Sequence, residues 1–198
     1  MLIITLSKNS FAYSILEIDN KLAKWHQEET YVCVLDDTQT LLPIVETSYQ
    51  PWLVPNTTVP KINFIYCNDV NLTDNSQLNL ILFTDLPDDF LGFTIVHTSD
   101  DQITRCKILL NQNVNWQEYN LQNVLTHEFG HFLGFTHETN TDSIMYPYTH
   151  NSDKLLSDDD ILGVRHLYPP DNGCNFSGAN TNWLIILVSL VLIRLRRI

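Results

Sequence analysis

Positive charge is scarce in this chain. Its 198 residues carry 11 Lys and Arg against 23 Asp and Glu, a formal net charge of −12. Three of the cations, Arg194, Arg196 and Arg197, lie in the last five positions, which leaves 8 basic against 23 acidic residues, or −15, for everything before them. A surface this acidic repels phosphate backbones and excludes nucleic acid as a partner; it is also a candidate surface for calcium. Cysteine is sparse and badly spaced for a metal. Cys33, Cys67, Cys106 and Cys174 form no C-x-x-C pair, so no separate cysteine zinc site is supported. One disulfide among the first three, for example Cys67 with Cys106, and a set of buried free thiols both stay open. The N-terminus lacks the charged start and the long apolar run of a full secretory signal. Its short run Leu2 to Leu6, followed by Ser10, Ala12 and Ser14, reads as the end of a truncated signal with a cut after Ala12 or Ser14, or as an ordinary N-terminal strand.

What the chain does have is concentrated at residues 127–137, which read H-E-x-x-H-x-x-G-x-x-H. On a helix, His127 and His131 share one face a turn apart and can hand two imidazole nitrogens to one metal ion. Glu128 is not a ligand, but it is placed to take a proton from a metal-bound water. Gly134, with no Cβ, can turn the chain and bring His137 back as a third ligand. Three imidazoles leave one position of a tetrahedral zinc open, as a catalytic site requires.

The hydrophobic content of 44% supports a real core, and the length suits one domain with short appendages. Lys24-Trp25 opens the domain. Strands are predicted at 30–35, 62–67, 78–84, 91–97 and 103–110, from runs of β-formers. A helix is predicted over 38–52, with Pro43 in its first turn and Pro51 ending it. Residues 68–77 and 85–89 read as turns. A long helix starts at Asn115 or Gln117 and ends at Phe132 or Leu133, with Leu121, Val124, Leu125, Phe129 and Phe132 on its apolar stripe. A last helix over 156–168 is capped by Ser157, and its aspartates suit the positive end of the helix dipole. The pattern is a mixed α/β domain with a sheet packed on helices.

The eleven-residue motif resembles that of the metzincin zinc endopeptidases. Ser143-Ile144-Met145-Tyr146-Pro147 is similar to their Met-turn, which sets a thioether beneath the imidazoles. The short link from His137 to Met145, the Leu-Ser-x-Asp-Asp-Ile-x-Gly-Val-x-x-Leu-Tyr helix and the opening Lys-Trp resemble the matrixins, over residues 24–169. This resemblance implies an α+β fold: a five-stranded mixed twisted sheet on the active-site helix, and a small C-terminal subdomain holding the Met-turn and the final helix. It implies one catalytic Zn2+ on His127, His131 and His137, and Glu128 as general base. The substrate would be a protein or peptide lying along an edge strand, for which Leu91, Gly92, Phe93 and Thr94 are the candidates. Pro147 and Tyr148 are candidate pocket residues, although Tyr148 stands one place earlier than the family's Pro-x-Tyr. Glu138 stands where matrixins have Ser; it would hydrogen-bond or pair near the N-terminus, or face water. No Pro-Arg-Cys-Gly segment is present, so latency through a thiol on zinc is not supported. His26, His97, His150 and His166 read as structural or exposed, and the domain as a monomer.

Residues 171–198 form a polar linker and a tail. Trp183 to Ile193 is continuously apolar and ends in Arg194-Leu195-Arg196-Arg197. As a helix the run is about 16 Å long, short of a ~30 Å hydrocarbon core. Apolar helix then arginines reads as an anchor inserted in the membrane with the domain outside. Gly173-Cys174 before it also resembles bacterial C-terminal sorting signals, processed at the membrane. The division is therefore 1–23 lead-in, 24–170 catalytic domain and 171–198 tail, on an exported, surface-held protein. Two other readings compete with a zinc endopeptidase: a non-catalytic zinc-containing surface-binding domain, and a zinc hydrolase of non-peptide substrates.

Overall fold

A computed structural model describes residues 13–36, 40–67, 78–148 and 153–170. The N-terminal lead-in through Ala12, the turn at 68–77, His150 and the tail from 171 lie outside the described residues.

Apolar runs without a polar face belong in the middle of a sheet, and that is where they lie. A short hairpin comes first, β1 (Glu17–Ile18) and β2 (Lys21–Leu22), which the sequence reading did not anticipate; Asp19 and Asn20 turn it with φ of 50° and 61°. The main strands are β3 (Glu29–Leu35), β4 (Lys61–Cys67), β5 (Asn79–Thr84), β6 (Gly92–Ser99) and β7 (Gln102–Asn111). Their order is β4-β3-β5-β7-β6. Every neighbouring pair is parallel except β6 and β7, which run antiparallel. The mixed five-stranded sheet is therefore as expected, with β6 on an edge. Leu91 stands just before that strand.

Three helices follow from local chemistry. Helix α1 (Leu41–Tyr49) runs into a 3₁₀ turn, Gln50–Trp52, that accommodates Pro51. Helix α2 (Leu121–Leu133) starts later than its periodicity implied. The Asn115 side chain accepts from Gln117 N and donates to Glu118, local bonds that compete with helix formation; Asn120 is the true N-cap, accepting from Asn123 N. Helix α3 (Asp158–Leu167) begins at a capping box between Ser157 and Asp160.

The core lies between the sheet and α2. Phe129 meets Tyr49 and Phe64 at ring separations of 5.0 and 5.8 Å. Trp25, of the opening Lys-Trp, stacks on Phe132 and donates its indole N–H to Phe132 O at 2.7 Å. Tyr168 donates to Leu133 O at 2.7 Å and accepts from Trp25 N, so the first and last parts of the domain close over the end of α2. The disulfide joins Cys33 to Cys67, while Cys106 is a buried free thiol. The example pairing of Cys67 with Cys106 is not formed, and the topology explains why. Strands β3 and β4 are neighbours, whereas β7 lies beyond β5 with Cys106 turned into the core.

Gly134 ends α2 with φ at 104°, and its N–H caps Gly130 O and His131 O. A Cβ there would stand 2.4 Å from Ala23 O. Gly134→Ala is therefore expected to destabilise the domain by about 2–4 kcal/mol, read from the urea midpoint of unfolding.

Candidate metal centre

The three histidines converge. The ligating atoms of His127, His131 and His137 all lie within 4.8 Å of one another, and among the described residues they form the one cluster of three or more metal-ligating side chains. The local fold accounts for the convergence. His127 and His131 are one turn apart on α2. The left-handed Gly134 then reverses the chain, Phe135 N bonds back to Gly130 O at 2.9 Å, and His137 arrives with Nε2 at 3.2 Å from Nε2 of His131.

Ring orientation is fixed from behind. Nδ1 of His127 bonds Ile144 O and Nδ1 of His131 bonds Phe135 O, each at 2.8 Å. A carbonyl can only accept, so both rings carry their proton on Nδ1 and a lone pair on Nε2. Loss of hydration, with like-charge repulsion from His131, pushes His127 down to about 3; loss of hydration also pushes His131 down to about 4. Both rings are thus neutral, which is the ligating form. Three converging imidazoles, two of them neutral with Nε2 free to ligate, fit a zinc ion and leave a position open.

Glu128 is buried beside them. Loss of hydration raises its carboxyl to about 7, against the pull of a hydrogen bond from Thr94 Oγ1 to Oε2. A Cβ at Gly92 would come within 2.7 Å of Glu128 Oε1, so the edge strand leaves room for this carboxylate. The candidate edge residues therefore do more than mark an edge: Gly92 and Thr94 form the wall against which the acid sits. A cleft of about 860 Å³ opens over Glu128 and the histidines, with Leu91 to Thr94 on one wall and Pro147 and Tyr148 on another. Tyr148 is 72% exposed, at the mouth.

The Met-turn lies under α2. Met145 is buried, and its Sδ would be 2.1 Å from a Cβ at Gly130, the residue before His131. Glu138 N donates to Met145 O at 3.0 Å. Glu138 is only 9% exposed, and its Oε2 accepts from Thr139 N at 3.3 Å, so it does not face water. His26 lies 3.7 Å from Asp101, His97 bonds Arg105, and His166 packs on Tyr13; none of them joins the cluster.

Sequence reasoning missed the residue that ties these parts together. Asp160, 2% exposed, accepts from Ser143 Oγ at 2.6 Å and from Ile144 N at 2.9 Å while capping α3 through Ser157. The Ser157-x-x-Asp160 spacing signals a cap, but nothing in the sequence signals the bond to the Met-turn. Through Ile144 the same carboxylate sets the carbonyl that orients His127.

A family profile described as Matrixin matches residues 8–169. The chain is 51% identical over 57 residues to the interstitial collagenase of Bos taurus, and 44% identical over 69 residues to that of Sus scrofa. These alignments cover 28% and 34% of this chain but only 12% and 15% of the collagenases' own length.

Asp160→Asn, which keeps the size but removes an acceptor, is expected to cost about 2–4 kcal/mol of stability. It should also weaken zinc retention about tenfold, measured by competition with a chromogenic chelator.

Proposed function

Because the chain belongs to the matrixin family, we propose that it is a zinc-dependent endopeptidase acting on proteins or peptides outside the cell. One observation carries this reading: three converging imidazoles, two of them oriented by backbone carbonyls, and a buried carboxylate meet in one cleft alongside an edge strand. His127, His131 and His137 would hold the zinc, which when bound supplies Lewis-acid activation of water and of the scissile carbonyl. Glu128 takes the proton of the attacking water and passes it to the leaving amine. Thr94 and Gly92 hold Glu128 against the cleft wall during both transfers.

An extended substrate adds to the sheet at β6, whose outer edge carries no partner strand among the described residues. Backbone pairing there lays the peptide past Glu128, with Pro147 and Tyr148 receiving a side chain. We place the domain outside the cell on the apolar run and arginines of the tail, with the tail anchored in or processed at the membrane. The Cys33–Cys67 disulfide supports this address, since such bonds persist in oxidising compartments.

Glu128→Ala is expected to keep the fold and one zinc per chain while lowering kcat for peptide hydrolysis by roughly 10²–10⁴-fold. Zinc content, circular dichroism and turnover of a generic protein such as casein, with and without a hydroxamate chelator, check this together. Undiminished turnover in the variant would remove Glu128 from the mechanism.

A further inference from the structure

The wall of the cleft carries a single Lys or Arg among the described residues, Lys154, and neither the motif nor the proposed mechanism uses it. It reaches the cleft on the His127 side. Its backbone N–H donates to Asn123 Oδ1 at 3.2 Å, and Asn123 stands one helical turn before His127. Its ammonium donates to Thr141 O at 2.7 Å and lies 5.9 Å from the centroid of the Tyr146 ring. A carbonyl and a ring face hold a cation in place, but neither neutralises it. Among the described residues no carboxylate forms an ion pair with Lys154. Asp160 and Asp142 act on it from further away, and Asp160 already accepts from Ser143, Ile144 and Ser157. In a chain of net charge −12, a lysine without an ion-pair partner in this position is a specific feature. The acids on the cleft wall apart from Glu128 are Asp88 and Asp89, on the loop leading into β6, so the two walls differ in sign.

We propose that Lys154 makes the subsite beside His127 select a carboxylate side chain, Asp or Glu, next to the scissile bond of the substrate. This rests on the endopeptidase reading. A Glu side chain gains the attraction of the ammonium in a partly dehydrated cleft, Gln keeps the size without the charge, and Lys meets a like charge.

The test uses the zinc-loaded full-length chain and quenched peptides that share one sequence and differ only beside the bond cleaved: Glu, Gln or Lys. The expected kcat/KM for Glu exceeds that for Gln by roughly three- to tenfold at low salt and falls toward it at high salt. Lys154→Met should abolish the Glu–Gln difference, and Lys154→Glu should turn the order in favour of Lys. Equal Glu-to-Gln ratios in wild type and Lys154→Met overturn the proposal. Binding of the same peptides to the Glu128→Gln protein, with and without Lys154→Met, gives a readout free of turnover. The Kd of the Glu peptide alone should rise when Lys154 is lost, and an unchanged Kd overturns the proposal whether or not any peptide is cleaved. Charge-dependent binding without cleavage of any peptide by wild type would instead sink the endopeptidase reading and leave the subsite standing.

Discussion

Two backbone carbonyls set which nitrogen two of the three converging histidines present to the cleft. A helix can place two imidazoles on one face, but each ring has two nitrogens, and only the one bearing the lone pair can ligate. Ile144 O and Phe135 O accept from Nδ1 of His127 and His131 and so commit Nε2 to the metal side. Phe135 is in place because Gly134 adopts a left-handed conformation. Ile144 is in place because Asp160 binds its N–H and the Ser143 hydroxyl at once. The centre is therefore a property of the contact between α2, the turn that follows it and α3, as much as of the eleven residues that announce it.

The sheet supplies the other half. Glu128 sits on the same helix as two of the histidines but leans on β6, where Thr94 donates to it and Gly92 gives it room. The strand that cradles the proposed base is also the edge that an extended peptide would join. In the proposed mechanism one element would thus fix both the proton acceptor and the path of the substrate. The cationic Lys154 on the far side and the acidic Asp88 and Asp89 near β6 add a charge pattern to a cleft that is otherwise largely apolar.

Much of this was legible in the sequence where a single residue type carries a single physical demand. The H-E-x-x-H-x-x-G-x-x-H spacing located the three converging histidines and the glycine turn, and runs of β-formers located the five main strands. Reading failed where local bonds or long-range partners decide. Asn115 diverts the chain from the helix that its periodicity extends, so α2 begins at Leu121. The sequence leaves a disulfide open among the first three cysteines, and strand order, which composition does not encode, settles it as Cys33 with Cys67. Asp160 looked like one more acid at a helix start. Its second role, across 17 residues to Ser143, exists only in the folded chain. Glu138 and Thr94 are similar cases, since burial and a partner give each its part.

The matrixin profile matches most of the chain, while the aligned collagenase stretches cover a small share of those proteins. The convergence of the three imidazoles can be observed without substrate. X-ray absorption at the zinc edge of the purified chain is the most direct test. Three imidazole nitrogens at about 2.0–2.1 Å with one further light-atom ligand are expected. Sulfur in the first shell, or a protein that retains no zinc, would contradict the site.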